Sequence, residues 1–436
     1  MPRPASTRAY KRFSADARLI LVTSLVTGAA LSLWWIDFNL YLVALGYSSA
    51  TIGLVSTLSA LAGGIIAFPA SAWSDRVGRR VVFFAGLIAG IVALVALLAS
   101  EALIVVILSA AMWSMGFQAF QVVISPYMTE HSEPDHRNEL FAVQFAIQNV
   151  TNIVAAILGG VVATAIAAAM GLADGGPGTY RIILVLMLVL SGLGLLTVAR
   201  LHDDRPSKTM APRLRTLGEP AAFPADPRRS KTLLGITIRD RARFAKLVVP
   251  GFLISIGAGQ VIPFLNVYIQ AKFGLDLAQL NAVFALTSLG TVLAIMAQPW
   301  LARRFGQITS VVLVQGLSIP FLLVLGFSPI LWTVIAAMMV RNSLMNAGNP
   351  IFNAFAMEQV SPAERASLSA AMSVLWQVGW VIGGIWYAAL QAVLGFFPGY
   401  TVNFITIIAL YSIATCLYWV WFRAVDRRAL AARVAV

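Results

Sequence analysis

Long apolar runs alternate with short polar stretches along the whole chain. Each run is continuous and close to the roughly 20 apolar residues that an α-helix needs to cross a bilayer. The runs lack the ten-residue alternating pattern of a membrane β-barrel. We predict an all-α membrane protein with twelve transmembrane helices. The predicted helices cover residues 19–46, 51–73, 81–100, 103–129, 139–170, 181–199, 246–271, 277–301, 308–327, 330–357, 367–393 and 401–422.

One internal stretch, residues 201–245, has no long apolar run and is rich in Pro, Arg, Asp and Ser. It predicts a cytoplasmic linker between two six-helix halves, residues 19–200 and 246–422. The remaining residues, 1–18 and 423–436, are predicted to be short cytoplasmic tails.

Composition supports a membrane protein. Hydrophobic residues make up 59% of the chain and charged residues 11%, whereas a soluble domain carries about 25% charged residues. This excludes a soluble enzyme, a disordered chain and a nucleic-acid-binding domain. With the N-terminus inside, 28 of the 31 basic residues fall on the inner side. The positive-inside rule therefore predicts a multi-pass protein of a cell inner (plasma) membrane, in contact with the lipid bilayer, with both termini cytoplasmic.

The two halves resemble each other at an offset of 228 residues. Gly78 matches Gly306, and Glu130 matches Glu358. Two further matches follow at the same offset, Pro134 with Pro362 and Arg137 with Arg365. Several matches at one register predict a duplication. In transporters, parallel repeats of this kind are related by an axis along the membrane normal, with a substrate site near the midplane.

The loop after the second predicted helix reads Ser71-Ala-Trp-Ser-Asp75-Arg76-Val-Gly78-Arg79-Arg80. It resembles the signature loop of the major facilitator superfamily (MFS), G-x-x-x-D-R-x-G-R-R/K, and departs from it only at Ser71. The second half carries a weaker echo, Arg303-Arg304-Phe-Gly306. The resemblance covers the whole chain, because the helix number and the linker also fit.

The resemblance implies a gating role for this loop. By analogy with the family, Asp75 would stabilise the outward-facing state, and Arg79 would pair with Glu130 at the end of the fourth helix. Gly78 permits a tight turn at this point. The alternative is a basic loop that fixes topology and has no role in gating. The predicted gating residues are Asp75, Arg76, Gly78, Arg79, Arg80 and Glu130.

Two ionisable residues lie deep inside predicted helices, Asp37 in the first and Arg341 in the tenth. Both lie roughly 14–17 Å from the outer helix end, at a rise of about 1.5 Å per residue. A charge inside the bilayer is costly and is by default a functional candidate. Asp37 is the candidate for proton coupling, and Arg341 is a candidate for binding substrate or pairing with Asp37. The alternative is a structural ion pair.

Polar and aromatic side chains on the helices that line the family's cavity complete the predicted site. Amides in helix interiors also serve simply to join helices, and Trp often only fills packing space. The substrate-cavity candidates are Arg341, Trp34, Asn39, Gln118, Gln121, Gln260, Asn266, Asn342 and Asn346.

No catalytic constellation, metal-ligand cluster or phosphate-binding loop is present in the sequence. We therefore expect a monomeric transporter, not an enzyme, with no cofactor. Its expected partners are a small-molecule substrate and protons. The leading function is proton-coupled export of a small, partly apolar molecule.

Two departures weaken the assignment to drug antiporters. Met112 stands where these have an Arg, and the fifth helix lacks their Gly-Pro. Uptake of a small anionic metabolite, by proton symport or facilitated diffusion with Arg341 as ligand, therefore stays open. A transport-dead membrane sensor or scaffold is a more distant alternative.

Overall fold

A computed structural model describes residues 13–131, 137–173, 175–202, 240–361 and 364–434. Within these ranges the chain forms twelve long helices and no strand, which confirms the predicted all-α class. They are α1 (Ala15–Ala44), α2 (Ser49–Val77), α3 (Arg79–Ala99), α4 (Leu103–Glu130), α5 (Arg137–Ala169), α6 (Pro177–Ala199), α7 (Arg241–Phe273), α8 (Leu277–Phe305), α9 (Gln307–Phe327), α10 (Leu331–Glu358), α11 (Arg365–Leu394) and α12 (Phe396–Val434).

Ten of these helices are long and apolar enough to cross a membrane. The two others are α8 and α10. In α8 the apolar stretch found among the described residues is shorter, Leu277–Thr287. In α10 polar residues such as Arg341 and Asn346 interrupt the apolar sequence. A helix that turns polar side chains toward other helices can still span a bilayer.

Several helix ends differ from the sequence prediction, and three of them show the cause or extent of the difference. The first helix begins at Ala15 rather than at residue 19, because Ser14 caps it: its hydroxyl accepts a hydrogen bond from the Ala17 N–H. The seventh begins at Arg241, five residues earlier than predicted, where Asp240 accepts from the Arg243 N–H. The last continues to Val434, through most of the predicted tail. The apolar pattern locates the membrane core and misses such polar turns.

The seventh helix is broken near its middle. A 3₁₀ turn, Ile262–Phe264, separates the segments Arg241–Val261 and Leu265–Phe273. Pro263 cannot donate a backbone hydrogen bond, which disfavours a continuous helix here. The carbonyl of Phe264 instead accepts a hydrogen bond from the Tyr400 hydroxyl at 2.8 Å.

The chain separates into two compact units, one of residues 1–45 and 58–227 and one of residues 46–57 and 228–436. In the first unit α1 packs against α5 and α6, and α3 packs against α4 and α6. In the second unit α7 packs against α11 and α12, and α9 packs against α10 and α12. These four helix pairings of the second unit match those of the first at equivalent positions.

The repeat is also visible in the helix boundaries. The bounds of α2, α3 and α4, shifted by 228 residues, are the bounds of α8, α9 and α10 at both ends. Gly78 and Gly306 cap equivalent helices with positive φ values of 100° and 89°. Tyr41 donates to the carbonyl of Leu97, and Tyr268 donates in the same way to that of Gly326.

Glycines bring α7 and α11 into close contact. A Cβ added at Gly383 would lie 2.5 Å from the Ile256 carbonyl oxygen, and one added at Gly259 would lie 2.8 Å from the Trp380 backbone. The Gly379–Gly384 segment therefore packs one helix tightly against another. Small residues commonly permit such approach in membranes.

Residues 46–57, which include the first turns of α2, group with the second unit. A Cβ at Gly53 would lie 2.8 Å from the ring of Tyr387, which shows how closely this segment packs on α11.

Candidate functional site

The predicted proton-coupling residue, Asp37, lies on α1 with 2% of its surface exposed. Across the ten candidate spans it is the only acidic residue beyond the first turn of a helix. Its carboxylate is therefore held in a low-dielectric interior, far from the polar helix ends. Its proton-coupling role remains a prediction.

Aromatic rings surround this part of the first unit. Trp34 stacks on Phe38 with ring centroids 3.9 Å apart, and on Trp113 of α4 with centroids 4.9 Å apart. Trp34 is partly exposed and Trp113 is buried. The three rings form one stack, and two of them lie on the part of α1 that carries Asp37.

The polar candidates of the first unit divide by burial. Asn39, two residues after Asp37, is 7% exposed. Gln118 and Gln121 on α4 are half-buried. Burial of an amide requires a hydrogen-bond partner, whereas half-buried amides can also meet solvent or a ligand.

The second deep charge, Arg341 on α10, is 5% exposed. Its Nη1 donates to Asn342 Oδ1 at 3.0 Å and its Nη2 donates to the Tyr411 hydroxyl of α12 at 3.0 Å. Its Nε is buried and makes no hydrogen bond to the described residues. Within the second unit, no described carboxylate lies within 4 Å of this guanidinium.

The other polar candidates of the second unit lie on α7 and α10. Gln260 and Asn266 flank the break in α7 and are 1% and 2% exposed. The Oε1 of Gln260 has no partner among the described residues. Asn342 orients Arg341, while Asn346 is exposed and donates to the Asn342 carbonyl of its own helix. Asp37 and Arg341 belong to different units, and their pairing stays a prediction.

The signature loop joins α2 to α3. Arg79 pairs with Glu130 at the end of α4 at 2.9 Å, and its second Nη donates to the Ser74 hydroxyl at 2.7 Å. Arg80 donates to the carbonyl of Ala199 at the end of α6. The expected Arg79–Glu130 pair is thus present, and these bonds join the ends of α2, α3, α4 and α6.

Two other residues of this loop complete the comparison with the prediction. Arg76 is exposed. The side chain of Asp75 lies outside the described residues, so its expected part in gating stays a prediction. The same holds for the gating role of the loop as a whole.

Sequence reasoning missed a second pair of the same kind. Gln307 donates to Glu358 Oε1 at 3.1 Å. These residues stand 228 positions after Arg79 and Glu130. The repeat register could have identified the pair, but Gln in place of Arg hides it from a search for charges.

Buried tyrosines of the second unit were missed as well. The hydroxyls of Tyr387 and Tyr400 are hydrogen-bonded to each other at 3.1 Å, and Tyr387 stacks on Phe264 with centroids 3.7 Å apart. The Tyr411 hydroxyl accepts a hydrogen bond from Arg341. An isolated Tyr in an apolar run looks like packing, and no sequence signal marks its distant partner. Within the described residues, no group of three or more His, Cys, Asp or Glu is placed to hold a metal ion.

Comparison with solved structures shows extensive similarity of fold. The chain resembles the nucleoside transporter NupG with a TM-score of 0.74 at 14% identity, covering 94% of this chain and 99% of that one. It resembles a bacterial homologue of the iron transporter ferroportin in the inward-facing state with a TM-score of 0.72 at 14% identity, covering 93% and 98%.

The peptide transporter POT has a TM-score of 0.69 at 16% identity, covering 98% of this chain and 99% of that one. At such identities the likeness shows the fold alone. No curated protein matches the chain in sequence.

A family model provides the assignment. The model described as Major Facilitator Superfamily matches residues 20–384 and again residues 251–433. The overlap of the two matches agrees with an internal repeat. Such a match indicates a multi-pass membrane transporter rather than an enzyme. The chain belongs to the Major Facilitator Superfamily.

Proposed function

We propose that this protein exports a small, partly apolar organic molecule in exchange for protons, by alternating access of its two units. In this proposal the protein lies in the inner membrane of a cell, with both termini in the cytoplasm. The similar solved structures do not identify the substrate of this protein, because their names specify nucleosides, iron and peptides.

The observation that carries the proposal is the position of Asp37. It is 2% exposed, and the one other acidic residue of the candidate spans, Asp16, lies in the first turn of α1. An acidic residue inside the bilayer is by default a functional candidate. In this proposal Asp37 takes up the coupled proton from one side of the membrane and releases it to the other as the two units alternate. Such a change in protonation can couple proton entry to substrate movement.

The aromatic face of the first unit supports a partly apolar substrate. Trp34 is partly exposed and stacks on both Phe38 and Trp113, so its ring is held in place. A fixed aromatic surface binds apolar or planar groups with little loss of side-chain entropy. The half-buried amides Gln118 and Gln121 would supply polar contacts.

The loop between α2 and α3 supplies the gate in this proposal. The Arg79–Glu130 pair joins the ends of α3 and α4 in this conformation. Its side chains are 16% and 37% exposed, and exposed pairs contribute only about 0–1 kcal/mol. A latch of this strength can open and close during each transport cycle.

The test is dye accumulation in cells that lack their own efflux pumps. A panel of anionic, neutral and cationic lipophilic fluorescent dyes is compared in cells with empty vector, wild type, Asp37→Asn and Asp240→Asn at matched expression. Asp240 is an exposed N-cap residue, and Asn caps a helix equally well. The control thus removes the same charge without moving a buried group.

The proposal expects wild type and Asp240→Asn to lower the accumulation of at least one dye, and Asp37→Asn to match empty vector. If wild type raises accumulation, the protein is an importer. If Asp37→Asn exports as well as wild type, Asp37 does not couple transport to protons.

A further inference from the structure

The second unit holds a buried positive charge, and no acidic group described in that unit lies within ion-pair distance of it. Arg341 is 5% exposed, and its two hydrogen-bond partners, Asn342 and Tyr411, are both neutral. Transfer of an ion into the protein interior costs several kcal/mol unless its charge is balanced. The arrangement orients the guanidinium without neutralising it.

The repeat shows that the fold does not need a charge at this position. Arg341 stands 228 residues after Trp113, in helices whose bounds coincide at that offset. In the first unit Trp113 fills the equivalent place with an apolar ring that packs on Gly90 and Trp34. The second unit therefore replaces an apolar group with a buried cation.

The groups around the guanidinium present hydrogen-bond donors. The Tyr411 hydroxyl accepts a bond from Arg341, so its own hydrogen remains available to another acceptor. The Asn342 oxygen also accepts from Arg341, which leaves the Asn342 amide as a donor. The Arg341 Nε–H has no partner among the described residues. A guanidinium has five N–H donors, and two of them bond to described residues.

A site built of donors around a fixed cation is suited to an anion. Guanidinium groups match the geometry of carboxylates, which they bind through two parallel hydrogen bonds. We infer that Arg341, with Tyr411 and Asn342 beside it, binds a carboxylate on the transported molecule. The substrate is therefore a partly apolar organic acid. This inference rests on the proposed transport function and names the substrate class.

Ligand binding to purified protein tests the inference without reference to proton coupling. The probes are 1-naphthoate and 1-naphthamide, which share an apolar ring system and differ in charge. Thermal unfolding in detergent is followed with each probe for wild type, Arg341→Gln, Arg341→Lys, Asp37→Asn and Arg423→Gln. Arg423 is exposed on α12 and controls for a general loss of positive charge.

We expect naphthoate to raise the unfolding temperature of wild type and Arg423→Gln, and naphthamide to have a much smaller effect. Hydrogen bonds to charged groups correspond to an affinity loss of about 10- to 100-fold when they are removed. Arg341→Gln should show this loss, and Arg341→Lys should bind with intermediate affinity. Without ligand, Arg341→Gln should unfold at the same or a higher temperature than wild type, because it removes an uncompensated charge.

Three results would overturn the inference. Equal shifts with both probes, or none with either, would show that no carboxylate is recognised. A naphthoate shift that persists in Arg341→Gln would place binding elsewhere. A shift that arises only in Asp37→Asn would mean that the protein's own carboxylate occupies Arg341. Failure of dye export with intact naphthoate binding would instead count against the proposed direction of transport.

Discussion

The close packing of α7 on α11 makes a quantitative prediction for Gly383. A Cβ at this position would lie 2.5 Å from the Ile256 carbonyl oxygen and 2.9 Å from the Gln260 backbone nitrogen. Both atoms belong to the main chain of α7 and cannot rotate away. The two helices must therefore separate by about 0.9 Å at this point to restore ordinary van der Waals contact at 3.4 Å.

The magnitude follows from two opposing terms. Overpacking of this kind costs about 1–3 kcal/mol. Replacing a mid-helix Gly with Ala gains about 0.5–1 kcal/mol. Gly383→Ala is therefore expected to lower the free energy of unfolding by about 0–2.5 kcal/mol.

Gly192→Ala is the matched control. Gly192 lies within α6, and no atom lies within 4 Å of its added Cβ. This variant keeps the helix gain and omits the steric cost. The free energy of unfolding of each variant is measured by SDS titration in mixed micelles. The two variants should differ by the steric term, about 1–3 kcal/mol. Equal stability of the two variants would refute the reasoning.

Three further predictions concern helix ends and the break in α7. Gly78→Ala forces a side chain into a backbone with φ of 100° and should lower the free energy of unfolding by about 1–3 kcal/mol relative to Gly192→Ala; an unchanged value in SDS titration would contradict this. Tyr400→Phe removes the hydroxyl that bonds the Phe264 carbonyl and should cost about 1–3 kcal/mol in the same assay; an unchanged value would show that the break in α7 does not depend on this bond. Glu130→Gln breaks the pair with Arg79 and should reduce dye export while lowering stability by less than about 1 kcal/mol; full export would argue against a gating latch.

Apolar periodicity was sufficient to predict the fold. Twelve continuous runs match the twelve helices of the described residues, and matches such as Glu130 with Glu358 revealed the repeat. The boundaries shifted where a polar side chain caps an extra turn, as Ser14 does for α1. Capping depends on one hydrogen bond, which a hydropathy pattern does not record.

The candidate site was predictable only in part. Asp37 and Arg341 stood out because each is a charge within an apolar run, and both are buried. The partner of Arg341 was not predictable, because Tyr411 is 70 residues away and resembles an ordinary packing residue. Gln307 was overlooked because it falls just before the predicted start of the ninth helix, where a neutral polar side chain is common.

The measurement that tests the account most directly is substrate-driven proton movement. Everted membrane vesicles are energised to an acidic interior, which is monitored with a quenched pH-sensitive dye, and the best exported compound of the panel is added. The account predicts that addition restores fluorescence in vesicles with wild type and Asp240→Asn, because substrate entry into the vesicle is coupled to proton movement out of it. In Asp37→Asn vesicles the fluorescence should stay quenched. An equal recovery in Asp37→Asn would contradict the claim that Asp37 carries the coupled proton.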